Sequence, residues 1–109
     1  RKTKMSELSD AFIAMPGGVG TLEEIFEQWT WAQLGIHLKP CAFLNVDGFY
    51  DELIKFIEVT TQKGFTHERF TNTLISSSSI QDVLSQFEKF VAPEPKWGMV
   101  ERSRAVENT

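Results

Sequence analysis

The residues best suited to chemistry form one short run in which glycines and a threonine precede two glutamates. The run reads Pro16-Gly17-Gly18-Val19-Gly20-Thr21-Leu22-Glu23-Glu24. It follows an apolar stretch and opens a helical pattern, so backbone N–H groups are left unpaired at the positive end of a helix dipole. Glycine has no side chain to block an approaching anion. The spacing therefore predicts a turn that binds phosphate.

Glu24 lies one turn into the predicted helix, where its carboxylate would project toward the sugar of a phosphate-bearing ligand. Cleavage of an N-glycosidic bond passes through an oxocarbenium-like state, which a carboxylate stabilises directly or by orienting water. A structural role is the alternative, because Thr21 and Glu24 also fit a T-x-x-E capping box. Glu23 lies about 100° around the helix, so we expect it to be solvated or at the edge of a ligand.

Strands and helices alternate along the chain, which predicts an α/β fold with a parallel sheet. Gly35 and Gly64 are placed to end the first two helices, and the serine run 76–79 supplies an N-cap for the last. Ligands of such sheets bind beyond the carboxyl ends of the strands, where the glycine run falls. The predicted elements are strand 11–15, helix 21–34, strand 41–46, helix 50–63, strand 73–76 and a helix from Ile80 to Phe90.

The composition fits one compact domain: 109 residues, a net charge of −4 and 41% hydrophobic residues. The acidic balance disfavours a nucleic-acid partner. No stretch approaches the ~20 apolar residues of a membrane span. Cys41 is predicted to be a buried thiol, which makes the cytoplasm the default location. His37 and His67 lack metal-ligand spacing, and no pattern for a covalent nucleophile occurs.

Four segments together resemble the LOG ("Lonely Guy") family of cytokinin-activating nucleoside 5′-monophosphate phosphoribohydrolases. The glycine run is similar to the family signature PGGxGTxxE, and Val19 stands where many relatives carry Tyr. The other matching segments are Arg1-Lys2 with Met5, the block 30–37 (TWAQLGIH) and the block 44–50 (LNVDGFY). The combination of these segments is specific to the family, whereas a glycine turn alone would be weak evidence for it.

The resemblance implies a Rossmann-like, three-layer parallel sheet with helices on both faces, of which this chain would be the C-terminal part. Residues 1–92 would belong to that domain, and residues 93–109 would form a polar tail. The resemblance also implies a homodimer that needs no cofactor or metal. It assigns catalysis to Arg1 and Glu24. It assigns substrate binding to Lys2, Gly17, Gly18, Val19, Gly20, Thr21, Leu22, Glu23 and Thr30.

The function implied is hydrolysis of N6-substituted adenosine 5′-monophosphates to the free base and ribose 5-phosphate. Thr30 would serve its own site or that of the partner subunit. The alternative is a protein of the molybdenum-cofactor-carrier type, which holds a phosphorylated ligand without hydrolysing it. A lysine decarboxylase normally needs a Schiff-base lysine, and no lysine here has a context that recommends it.

Overall fold

The computed structural model describes residues 10–94. In this part of the chain, three short strands form one parallel sheet in the order β1-β2-β3. The strands are β1 (Phe12–Ala14), β2 (Cys41–Leu44) and β3 (Ile75–Ser77). The α-helices are α1 (Val19–Leu34), α2 (Asp51–Gln62), α3 (Glu68–Thr71) and α4 (Ile80–Glu88), and a 3-10 turn spans Val46–Gly48.

The central strand β2 is buried along its whole length, because helices cover both faces of the sheet. Its alternate residues face opposite sides: Phe43 packs toward α1 and α2, and Ala42 packs toward α4. One core contains Ala14, Ile25, Trp29, Cys41, Phe43, Tyr50, Ile57 and Phe70, and the other contains Ala42, Leu44, Ile75 and Val83. This arrangement confirms the predicted three-layer, Rossmann-like fold.

Helix α1 begins earlier than predicted and without a capping side chain. Gly18 is its N-cap residue, Val19 is its first residue, and no side chain accepts a hydrogen bond there. Thr21 is therefore the third helical residue, so the capping box of Thr21 and Glu24, which was the structural alternative for Glu24, is not formed. The helix ends as predicted, because Gly35 adopts the left-handed conformation at φ 79°.

The remaining elements follow the predicted order with small shifts of their ends. The serine run caps α4 through Ser79, whose hydroxyl accepts a hydrogen bond from the Asp82 amide at 3.3 Å. Gly64 follows α2 in the left-handed conformation, at φ 85°. Helix α3 was not predicted, because four residues are too short for a periodic pattern. The division at residue 92 stays a prediction.

Cys41 and His37 are titratable groups that are buried in the first core or beside it. Cys41 is 3% exposed, and burial raises the pKa of its thiol to about 12, which confirms the prediction of a buried, unreactive thiol. His37 is 8% exposed, and its ring lies 5.3 Å from the Phe12 ring between centroids. Burial, together with the charge of Lys39, lowers the pKa of His37 to about 4, and a hydrogen bond with Gln28 opposes this.

The lowered pKa of His37 predicts a loss of stability in acid. Below its ordinary pKa of 6.5 the unfolded chain binds a proton that the folded protein does not, so stability falls as the pH falls from 6.5 toward 4. At pH 4.5 this group should cost about 2 kcal/mol relative to pH 7. Urea unfolding of the full-length protein at both pH values measures the loss, which should be smaller by that amount in His37→Gln.

Val83→Ala is the control, since it removes apolar packing on the other face of the sheet. It should lower the free energy of unfolding equally at both pH values. An acid-induced loss in His37→Gln as large as in the wild type would contradict the assignment to His37.

Candidate functional site

The loop between β1 and α1 lies at the carboxyl edge of the sheet and presents backbone amides. The first backbone hydrogen bond of α1 runs from the N–H of Leu22 to the carbonyl of Gly18, at 3.1 Å. The N–H groups of Val19, Gly20 and Thr21 therefore have no acceptor within the helix. No described side chain caps them, so they point out of the positive end of a 16-residue helix. Such a helix start can bind an anion.

The three glycines of the loop differ in what surrounds them. A Cβ at Gly17 would lie 2.3 Å from Oγ1 of Thr21, so this position is glycine because the chain itself needs the space. A Cβ at Gly18 or Gly20 would meet no atom of the described chain within 4 Å. The packing of the described residues therefore does not explain these two glycines. Both are exposed, and their missing side chains leave the backbone amides open to a ligand.

A cleft of about 340 Å³ lies beside this helix start, between α1 and β1. Glu24 is exposed and lines it, one turn along the helix from the free amides. The floor and one wall are apolar and come from β1, whereas α1 supplies the polar groups. The lining residues are Ala11, Phe12, Ile13, Ala14, Met15, Thr21, Glu24, Ile25, Glu27 and Gln28. A phosphate-bearing ligand bound at the helix start could thus extend along the Glu24 side chain.

The other predicted site residues lie in different places. Val19 is 82% exposed at the helix start, and Leu22 packs against the first core, so only its backbone faces the loop. Glu23 is exposed and does not line the cleft. Thr30 is exposed as well, and its hydroxyl donates to the carbonyl of Phe26 at 2.7 Å, outside the cleft. The predicted residues Arg1 and Lys2 lie outside the described residues.

Gln28 is a residue of the cleft that the sequence did not indicate. It lies one turn beyond Glu24, is 5% exposed and lines the same cleft. The backbone N–H of Lys39 donates to Nδ1 of His37 at 3.1 Å, so the proton of the neutral ring is on Nε2. That nitrogen donates to Oε1 of Gln28 at 3.2 Å. The side-chain oxygen of Gln28 thus accepts from His37, and its amino group is a donor.

The described residues offer little support for other classes of site. No group of three or more His, Cys, Asp or Glu side chains among residues 10–94 is arranged to hold a metal ion. In the same range, no helix is both long enough and apolar enough to cross a membrane.

Known proteins match this chain over most of its length. A family model described as "Possible lysine decarboxylase" matches residues 1–87. The protein named "Cytokinin riboside 5'-monophosphate phosphoribohydrolase LOG" of Oryza sativa subsp. japonica is 48% identical over 100 residues, which cover 92% of this chain and 41% of the relative. The protein of the same description named LOG1, of Arabidopsis thaliana, is 45% identical over 96 residues, which cover 88% of this chain and 45% of the relative.

A third relative is, like the first, from Oryza sativa subsp. japonica and is named "Probable cytokinin riboside 5'-monophosphate phosphoribohydrolase LOGL3". It is 47% identical over 91 residues, which cover 84% of this chain and 43% of the relative. The chain thus spans less than half the length of these relatives. The family match includes the glycine run, Glu24 and the blocks 30–37 and 44–50. On the extent of that match and the identity to these relatives, the chain belongs to the LOG family, whose family model is described as "Possible lysine decarboxylase".

Proposed function

We propose that the full-length protein hydrolyses the N-glycosidic bond of cytokinin riboside 5′-monophosphates and releases the free base and ribose 5-phosphate. The observation that carries this proposal is the position of Glu24, which lines a cleft one turn from an uncapped helix start. The names of the relatives support the same reaction. The substrates are N6-substituted adenosine 5′-monophosphates, the homodimer acts in the cytoplasm, and the reaction needs no cofactor.

The backbone amides from Gly18 to Thr21 bind the 5′-phosphate, where the helix dipole favours negative charge. Glu24 lies four positions after Gly20 in the helix, a rise of about 6 Å, so the carboxylate lies on the sugar side of the bound phosphate. There it stabilises the cationic ribosyl group or orients the attacking water. The electrons of the broken bond leave with the base, which takes up a proton, and water supplies the hydroxyl at C1′.

Further roles rest on the family resemblance. Arg1 pairs with Glu24 and helps to orient the substrate, and Lys2 lines the same pocket. Leu22 and Glu23 contribute at the edge of the site, and Thr30 binds substrate in its own site or in that of the partner subunit. These assignments concern residues that the described cleft does not contain.

A carrier that only holds a phosphorylated ligand is the competing function. Such a protein needs the amides of the helix start but not a carboxylate beside them. Glu24 does not take part in a helix cap, because Gly18 rather than Thr21 occupies the N-cap position. A carboxylate in this position stabilises the positive charge that develops on the ribosyl group during cleavage, whereas a ligand that is only stored gains nothing from it. The arrangement therefore favours catalysis.

Glu24→Gln should abolish most of the activity, because the amide keeps the shape of the side chain but cannot stabilise a ribosyl cation. We expect turnover to fall about 10²–10³-fold with little change in thermal stability. Chromatography of the free base and ribose 5-phosphate released from isopentenyl-AMP and AMP by the full-length protein measures this, with isopentenyladenosine as the substrate that lacks phosphate.

The matched control is Glu52→Gln, which removes an exposed carboxylate in the first turn of α2. It should retain wild-type turnover. If the folded wild-type protein binds both monophosphates and returns them unchanged, the carrier function replaces the hydrolase.

Gly20→Ala should separate stability from phosphate binding. The new methyl group fits among the residues that the structure describes, since none of their atoms lies within 4 Å of it, and alanine favours the helix by up to about 1 kcal/mol over glycine. We therefore expect an equal or higher melting temperature together with a higher KM for the monophosphate. Thermal unfolding and steady-state kinetics of the full-length protein test both parts.

Gly17→Ala provides the contrast, because its methyl group would collide with Thr21 and lower the melting temperature as well. If Gly20→Ala leaves the KM unchanged, the amides at the start of α1 do not bind the phosphate.

A further inference from the structure

The hydroxyl of Tyr50 ties the glycine loop to the loop that follows β2. It donates to the backbone carbonyl of Met15 at 2.5 Å, across 35 positions of sequence. The backbone amide of Gly17 lies near enough to the phenol oxygen to influence its pKa. Met15 precedes Pro16 and Gly17 follows it, at the point where the chain leaves β1 and turns toward α1. The Tyr50 hydroxyl thus holds the chain at the start of this turn.

Tyr50 is itself held firmly. Its ring is 2% exposed and packs against the rings of Phe43 and Phe49, each with centroids 4.9 Å away. Its backbone N–H donates to Oδ1 of Asn45 at 2.7 Å, and the Asn45 side chain donates in turn to Asp51 at 2.7 Å. Asn45 also donates its backbone N–H to the carbonyl of Ser77 at 2.8 Å, at the end of β3. The anchor of the glycine loop is therefore continuous with all three strands.

The backbone between Asn45 and Tyr50 forms a tight turn. Asp47 and Gly48 adopt left-handed conformations, at φ 51° and φ 73°. A Cβ at Gly48 would lie 2.6 Å from a carboxylate oxygen of Asp51, so glycine is required there. This tight turn delivers the Tyr50 ring into the core beside the glycine loop.

We propose that Tyr50 is a positioning residue that sets the direction of the phosphate-binding amides. The inference rests on the proposed function, since it concerns the same glycine loop. Loss of the hydroxyl would free the Met15 carbonyl from its partner, and the amides that follow would then sample other directions. Anions bind such a helix start through several N–H groups at once, so a misdirected loop loses affinity for phosphate.

The burial of Tyr50 distinguishes this role from catalysis. Tyr50 is 2% exposed, its hydroxyl is bonded to the Met15 carbonyl, and it does not line the cleft. Burial also raises the pKa of Tyr50, and the Gly17 amide partly opposes the shift. The phenol therefore stays protonated and keeps donating to Met15.

Tyr50→Phe in the full-length protein is the test, because it retains the ring and removes only the hydroxyl. We expect KM for the nucleoside monophosphate to rise roughly five- to tenfold while kcat changes less than twofold. The inhibition constant of inorganic phosphate should rise by a similar factor. Hydrogen exchange of the amides from Gly17 to Thr21 should become faster at the same time.

The matched control is Thr61→Val, which removes a hydroxyl that donates to a backbone carbonyl within α2 and contacts Thr71. It should leave the KM and the inhibition by phosphate as in the wild type. If Tyr50→Phe does not fold, Asn45→Ala keeps the hydroxyl but removes the acceptor for the Tyr50 amide, and it should raise the same two constants.

Unchanged KM, phosphate inhibition and hydrogen exchange in folded Tyr50→Phe would overturn the inference while leaving the hydrolase intact. Wild-type protein that shows neither turnover nor binding of phosphate would instead contradict the proposed function, and the positioning role would fall with it. An equal loss of kcat in Tyr50→Phe and Thr61→Val would show a general structural effect and would also overturn the inference.

Discussion

The uncapped start of α1 is the constraint on which the site depends. A side-chain cap at this position typically stabilises a helix by about 1 kcal/mol, and Gly18 supplies none. The chain therefore leaves three amides without an acceptor in the helix at the carboxyl edge of the sheet. The surrounding packing preserves this opening rather than closing it, because Thr21 fills the space beside Gly17 and Tyr50 fixes the turn. A helix start kept open in this way is suited to an external anion.

The sheet supplies the rigidity that an open loop lacks. Strand β2 is buried on both faces, and its ends are paired with β1 and β3, so the loops that follow the strands begin from fixed points. Asn45 joins the ends of β2 and β3, and Tyr50 joins the following loop to the end of β1. Binding groups on loops become well directed only when a scaffold holds both loop ends. Here the hydroxyl of Tyr50 connects the loop that follows β2 to the glycine loop.

Sequence patterns predicted the order of the main elements because each depends on neighbouring residues. Gly35 ends α1 and Ser79 caps α4, and both effects act within one helical turn. The T-x-x-E pattern failed because it does not determine which residue leaves the helical conformation, and Gly18 takes that place. Tyr50 and Gln28 were missed as site residues for another reason. Their partners lie 35 and nine residues away, and only the folded sheet brings them together.

The two walls of the cleft differ in chemistry, and this difference bears on the ligand. Along α1, Glu24 presents an acceptor, and one turn further Gln28 presents an amide whose oxygen is already bonded to His37. Across the cleft, β1 presents apolar side chains such as Phe12 and Ile13. A ligand with hydroxyl groups can both donate to and accept from the helix wall, whereas a planar or aliphatic group buries area against the strand. The two walls of the described cleft therefore complement a ligand that carries both hydroxyl groups and an apolar group.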